Sequence, residues 1–203
     1  MIALIRHAEV EGGAGRCLGR TDAPLSDRGR AQALRLARSL GRIGWAALAS
    51  SPLLRARETL APLAVLLGRA PATLPELAEI DMGAWDGRDL AELRREHPED
   101  WAARGRDFAG FRPPGGETFA EVLARARRGV ERLAAGPRPC LAATHAGVLR
   151  ALACHLAGQP LQRLFDHAFD HLGALLLRPG ADGWEVLGEN LAPEDLVDAL
   201  LTR

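Results

Sequence analysis

Five side chains in this sequence have types and settings that would let them do chemistry together. Arg6 and His7 end the apolar run Ile2-Ala3-Leu4-Ile5, Arg55 follows Ser50-Ser51-Pro52, Glu79 sits in Leu77-Ala78-Glu79-Ile80, and His145 follows Cys140-Leu141-Ala142-Ala143-Thr144. Arginine forks bind phosphate oxygens in pairs, a neutral imidazole is a nucleophile near neutral pH, and a carboxyl group passes a proton to a leaving oxygen. The set suits a phosphate dianion better than a carboxylate or a metal ion. Taken singly, each residue has a plainer reading: His7 as a core histidine satisfied by the backbone, Arg55 as a solvated surface arginine, Glu79 as either a surface strand residue or a working acid. Convergence in space separates the two readings.

The elements that must bring them together alternate. Ile2 to Ile5 reads as a buried strand with charge at its exit. Ser26 is a helix N-cap, with Leu34, Ala37 and Leu40 at helical spacing up to Gly41. Trp45 to Ala49 is a second apolar run, which Ser50-Ser51-Pro52 closes with a cap residue and a proline at the first helical position. Leu53, Ala56 and Leu60 then mark a helical face, with Pro62 as a kink or early end. Arg55 falls in that helix's first turn, where the dipole disfavours a cation unless an anion is held there too. Pro71 to Ile80 is extended in character. Thr118-Phe119-Ala120-Glu121 is a capping box that opens a helix with Phe119, Val122, Leu123, Ala126, Val130 and Leu133 on one stripe. Cys140 to Ala143 is a third buried strand, running into Thr144-His145-Ala146-Gly147 and a helix with Val148, Leu149, Leu152 and Leu156. Ala174 to Leu177 and Trp184 to Leu187 are two last strands joined through Pro179 to Gly183, with a short helix near Leu196.

Alternating strands and helices predict an α/β fold of three layers, α/β/α, with a largely parallel sheet. In such a sheet the carboxyl ends of the strands form the ligand crevice, and Arg6, His7, Arg55 and His145 all fall at such ends. Residues 85–115 break the pattern: charges, Trp101, Phe108, Phe111 and Pro113-Pro114-Gly115-Gly116 give short helices and loops. This stretch is read as an insertion or lid over one edge of the core, its aromatics forming a small core of their own. The Gly-rich stretch Glu11 to Gly15 lacks the residues of a P-loop or dinucleotide fingerprint and is read as a surface loop.

At 203 residues, with 47% hydrophobic and 26% charged residues, the chain is sized for one domain covering 1–203. Zero formal net charge gives no pull toward nucleic acid or acidic membrane. Every formal positive charge is an arginine, so individual arginines have to be singled out by position. Cys17, Cys140 and Cys154 are odd in number and widely spaced, which argues for a reduced cytoplasmic protein without disulfides or a zinc site. The expected partner is a small-molecule phosphomonoester, and a homodimer is left open.

Together the motifs resemble a known family. Arg6-His7-Ala8-Glu9 is similar to the Arg-His-Gly-Glu signature of the histidine phosphatase superfamily, which includes the cofactor-dependent phosphoglycerate mutases. The likeness continues through Gly19 to Ser26, Ser50-Ser51-Pro52-Leu53-Leu54-Arg55-Ala56, Glu79-x-x-x-Gly83-x-Trp85-x-Gly87 and Thr144 to Arg150. The resemblance implies a phosphoglycerate mutase-like fold, His7 as a nucleophile that becomes phosphorylated, Arg6, Arg55 and His145 as phosphate ligands, Glu79 as proton donor, and neither metal nor cofactor. Such a histidine must be neutral and aimed, with Nδ1 donating to an acceptor and Nε2 free. The chain departs from the pattern at Ala8, usually glycine, and at Val10, usually threonine. Its shortness resembles the phosphatases, and the spacing from Arg6-His7 to Asp22-Ala23-Pro24-Leu25 is similar to α-ribazole phosphatases of cobalamin synthesis. A broader-specificity or sugar phosphatase, a phosphoglycerate mutase and a non-catalytic phospho-ligand-binding relative are the alternatives.

Overall fold

A computed structural model of the chain describes residues 1–180 and 183–202. At its centre is β1 (Ile2–Arg6), whose side chains alternate strictly between two cores. Ile2 and Leu4 face one cluster, with Cys140, Ala142, Leu175 and Leu177, whereas Ala3 and Ile5 face the other, with Leu141, Ala143, Ala174 and Leu176. That period of two, buried on both sides, is what a central strand requires.

Six strands pair in the order β3-β2-β4-β1-β5-β6. β2 (Ala47–Ser50), β3 (Ala72–Thr73) and β4 (Cys140–Thr144) run parallel with β1, and β5 (Ala174–Gly180) and β6 (Gly183–Leu191) are antiparallel additions. The expected connection between the last two strands includes Ala181 and Asp182, which lie outside the described residues. α1 (Asp27–Leu40), α2 (Leu54–Leu67) and α7 (Pro193–Leu201) cover one face; α5 (Phe119–Ala135) and α6 (Ala146–Leu156) cover the other. The three layers and the mostly parallel sheet are therefore as the sequence pattern predicts.

Several local expectations change. Leu34 is 53% exposed, and α1 instead buries Gly29, Ala33, Leu36, Ala37 and Leu40. α2 starts at Leu54, later than Ser51-Pro52 suggests, because its first amide is capped from a distance: Leu54 N–H donates to Asp22 Oδ1 at 2.6 Å. Pro62 lies inside α2 without ending it. Between Pro71 and Ile80 only Ala72–Thr73 is strand, followed by a 3₁₀ turn at Pro75–Leu77. Residues 85–115 hold α3 (Leu90–Glu96) and α4 (Pro98–Arg106), but their aromatics form no separate core. Trp85 and Leu93 belong to the α5/α6-side core, and Trp101, Phe108 and Phe111 pack against it.

The capping box at Thr118 and Glu121 is present, and the three cysteines are free and buried. Among the described residues no helix is long and apolar enough to cross a membrane.

Candidate active site

The exits of β1, β2 and β4 open into a cavity of about 750 Å³ whose wall includes Arg6, His7, Arg55 and Glu79. His145 lies behind that wall, fully buried, with its ring centroid 5.2 Å from that of His7. All five residues singled out in the sequence thus come to one place.

His7 is aimed by its neighbour: Nδ1 is 2.7 Å from the Ala8 carbonyl oxygen. A carbonyl only accepts, so Nδ1 carries the proton and Nε2 keeps its lone pair. Burial, then the charges of Arg55 and Arg6, hold its pKa well below the usual 6.5. The ring is therefore neutral at neutral pH. Ala8 is fully buried, and its N–H donates to Thr59 Oγ1 at 2.9 Å, while Thr59 donates to the Arg55 carbonyl at 2.7 Å. The backbone behind His7 is thereby tied to α2. Alanine fits where the family signature has glycine, because its methyl group points into the α1/α2 core.

Arg55 reaches inward from the first turn of α2 and is 1% exposed. Its Nη1 donates to the Thr21 carbonyl and its Nη2 to that of Gly19, each at 2.8 Å. The Gly19 to Thr21 loop is gripped in turn by Asp86, whose carboxylate accepts from the Gly19, Arg20 and Thr21 amides and from the Thr21 hydroxyl. His145 Nε2 is 2.7 Å from Ser51 Oγ. Burial and then Arg55 push the His145 pKa well down. Glu79 accepts from the Ile80 amide at 3.0 Å and from the Gly147 amide, in the first turn of α6, at 3.1 Å. Its backbone is clamped by Arg125, which donates to the carbonyls of Glu76, Ala78 and Glu79 and pairs with Glu117.

Among the described residues no carboxylate pairs with the Arg6 guanidinium. Nη1 donates to the Phe169 carbonyl at 2.7 Å, and Nη2 is 3.2 Å from His171 Nε2. Arg6 N–H also donates to Gly173 O, and Leu172 N–H to Arg6 O, so one turn holds both its backbone and its side chain. Leu172 in that turn has φ 66°, a left-handed conformation that costs a residue with a Cβ roughly 1–2 kcal/mol. The cost is offset by Leu172 packing into the α1/α2-side core. Asn190, at φ 52°, braces the same turn by accepting from the Asp170 amide and donating to the Asp170 carboxylate.

The far side of the cavity is built from other segments: Gly12 to Ala14, Arg16 to Leu18, Leu90, Arg104, Phe108, Phe111, Leu164 and Phe165. Phe108 meets Phe165 edge-on at 4.6 Å between centroids, and the Arg104 guanidinium lies 4.1 Å over Phe108. The stretch Glu11 to Gly15, read as a surface loop, therefore contributes to the cavity wall. It is stitched to the start of α3: Leu90 N–H donates to Gly15 O, Cys17 N–H to Arg88 O, and Gly87 N–H to Cys17 O. Val10 also lines the cavity and bridges Leu25.

Sequence reasoning missed Ser51, Asp86, Arg125 and His171. Arg125 carried a signal, since it interrupts the apolar stripe of α5 between Val122 and Ala126 and so falls on a buried face. His171 sits just before β5. Because β5 is antiparallel, it enters the sheet at the edge where β1 leaves it.

The model of the histidine phosphatase superfamily (branch 1) matches residues 2–192. The chain belongs to that superfamily. Phosphoserine phosphatase 1 of Hydrogenobacter thermophilus is 31% identical over 173 residues, covering 84% of this chain and 82% of that protein. A bifunctional protein of Mycobacterium tuberculosis is 37% identical over 137 residues, which make up 66% of this chain but 37% of that longer protein. Among solved structures, the α-ribazole phosphatase of Shigella flexneri overlays with a TM-score of 0.85 at 26% identity, covering 94% of this chain and 96% of that one. These superfamily relatives support the phosphoglycerate mutase-like fold that the motifs imply.

Proposed function

We propose that the protein is a metal-independent phosphomonoesterase that acts through a phosphohistidine at His7. The observation that carries this reading is a set of unused donors around His7: Arg6 Nε, Arg55 Nε and His145 Nδ1 are buried and have no hydrogen-bond partner among the described residues. Buried donors without acceptors are costly, and a phosphoryl group beside His7 supplies oxygens for all three. The Leu53 amide donates to Ser51 Oγ at 3.3 Å. In the proposed reading Ser51 gives its proton to His145 Nε2, 2.7 Å away, which puts the ring proton on Nδ1, the unused side.

In the proposed reaction His7 Nε2 attacks phosphorus opposite the ester oxygen. The N–P bond forms as the P–O ester bond breaks, and Glu79 delivers a proton to the departing oxygen. Arg6, Arg55 and His145 stabilise charge on the remaining phosphoryl oxygens. Water then attacks the phosphohistidine, its proton passing to Glu79; the N–P bond breaks and inorganic phosphate leaves with His7 neutral again. Arginines and a neutral histidine supply the electrophilic stabilisation, so the route needs no metal or cofactor.

The substrate is a small phosphorylated metabolite whose leaving group rests against the Phe108 and Phe165 side of the cavity, with residues 85–115 acting as a lid. α-Ribazole 5′-phosphate is the specific candidate, supported by the Shigella flexneri likeness and by a wall that offers aromatic rings to a flat base. Phosphoserine is the competing candidate from the sequence relatives, and transfer to a second phosphoglycerate is the mutase alternative. The test is hydrolysis of these esters by wild type and His7→Ala with EDTA present. The reading expects turnover that EDTA leaves intact, a covalent phosphoenzyme in wild type, and neither in His7→Ala. Wild-type rates in His7→Ala refute it.

A further inference from the structure

We infer that His171 is a positioning residue of this site: as the neutral imidazole it fixes the Arg6 guanidinium in the orientation that meets the phosphoryl group. The inference rests on the phosphohistidine reading above and adds a residue to it.

The geometry leaves His171 little choice of state. A guanidinium has donors and no acceptor, so at 3.2 Å from Arg6 Nη2 the His171 Nε2 must accept, with the ring proton on Nδ1. The Phe169 carbonyl takes Nη1 on the same side. Two acceptors two residues apart thus hold both Nη atoms of Arg6, and Nε is left over with no hydrogen-bond partner among the described residues. His171 is on the cavity wall, with its ring centroid 5.9 Å from that of His7. The turn that presents it is over-determined, since Asn190 braces Asp170 through two hydrogen bonds and Gly173 returns to both Asp170 and Arg6. An added Cβ at Gly173 would meet Asn190 Oδ1 at 2.1 Å and the Asp170 carbonyl oxygen at 3.0 Å, so any larger residue there would displace the Asn190 brace. So much local constraint around one side chain contact points to a placed acceptor.

A proton on Nε2 would turn this acceptor into a donor and set an imidazolium against a guanidinium. The groups facing His171 are Arg6, His7 and Glu9 at the exit of β1, Arg28 from α1 and Asp170 from its own turn. Burial first, then Arg6 and Arg28, lowers the His171 pKa, while Glu9 and Asp170 oppose them. The neutral form therefore persists through neutral pH. As pH falls through the lowered pKa, Arg6 is released and activity declines. His7 is lowered as well, by burial and then by the charges of Arg55 and Arg6, so the pH profile of His171→Gln is what assigns the acid limb to His171.

The test uses the full chain with His171→Leu and His171→Gln, whose amide oxygen still accepts. Thermal melts of both variants establish folding, and inorganic phosphate affinity and kcat/KM for p-nitrophenyl phosphate are followed from about pH 5 to about pH 8. In His171→Leu phosphate affinity and kcat/KM fall roughly tenfold or more, the loss expected for one hydrogen bond to a charged group. In His171→Gln most of both returns, and the acid limb moves to lower pH than in wild type because the titrating group is gone. Three results would each overturn the inference: a wild-type His171→Leu, a His171→Gln no better than His171→Leu, or an acid limb unmoved in His171→Gln. His7→Ala, run in parallel, separates the two levels. Turnover in His7→Ala sinks the phosphohistidine reading; an inactive His7→Ala beside a wild-type His171→Leu sinks the role of His171 alone.

Discussion

Gly147→Ala is the change that most directly probes the role of Glu79. Gly147 lies in the first turn of α6, and its amide donates to Glu79 Oε2 at 3.1 Å. A Cβ there would meet Glu79 Oε1 at 2.4 Å, with Glu79 Cδ and Phe119 Cε1 both at 3.2 Å. Ordinary contact for such atoms begins about 1 Å further out, so the carboxylate must shift by about that much. It has little room, being buried and also tied to the Ile80 amide. For the backbone the substitution is favourable, because alanine in a helix is worth up to about 1 kcal/mol over glycine. Displacing a reacting group by about 1 Å costs on the order of 10² in rate, or about 2.7 kcal/mol of barrier. Gly147→Ala should therefore melt near the wild-type temperature and lose roughly 10² in kcat for alkyl phosphate esters. With p-nitrophenyl phosphate, whose leaving group departs without a proton, the phosphorylation step should lose far less. The assay is single-turnover phosphoenzyme formation on both esters. An equal loss on both refutes Glu79 as the proton donor, and wild-type rates on both refute the steric argument.

Arg55→Lys keeps the charge but loses the fork that spans Gly19 and Thr21, so kcat should fall by about 10²–10³ despite the conservative exchange; steady-state kinetics showing less than a tenfold loss would contradict it. Folding should also report the two buried imidazoles. The pKa values of His7 and His145 are both lowered well below 6.5 in the folded chain, so the unfolded chain binds more protons below that pH. Their stability contribution is thus fully present above about pH 6.5 and is lost as pH falls toward the folded values, at up to about 1.4 kcal/mol per pH unit for each. Urea midpoints should drop between about pH 7.5 and 5.5, and a flat profile would refute the neutral assignment.

The sequence made the edge that carries the candidate site legible through one regularity: a polar residue where a buried strand ends. Ile2 to Arg6 and Cys140 to Thr144 are short, apolar and buried on both faces, so their exits could be read without a structure, and His7 and His145 with them. Arg55 was readable because a cation in a first helical turn is out of place. The holders of these groups were less visible. Asp86 and Arg125 reach across long sequence separations to backbone groups, which carry no sequence signal, beside the side-chain partners Thr21 and Glu117. His171 escaped for a topological reason: a rule that looks at strand exits overlooks the entry of an antiparallel strand at the same edge. The late start of α2 has a similar origin, since its cap is Asp22, a residue more than thirty positions upstream of Leu54.

The backbone stitch between the Gly13 to Leu18 loop and the start of α3 bears on how such a protein could acquire a new substrate. The proposed phosphoryl grip comes from strand ends and α2, whereas most of the opposite wall comes from two loop segments that hydrogen-bond to each other through Gly15, Cys17, Gly87, Arg88 and Leu90. Exchanging either segment alone would strand the amides and carbonyls of the other. A graft that carries both should bring its own selectivity to an unchanged reaction centre, which makes the pair, and neither loop by itself, the unit for redesign.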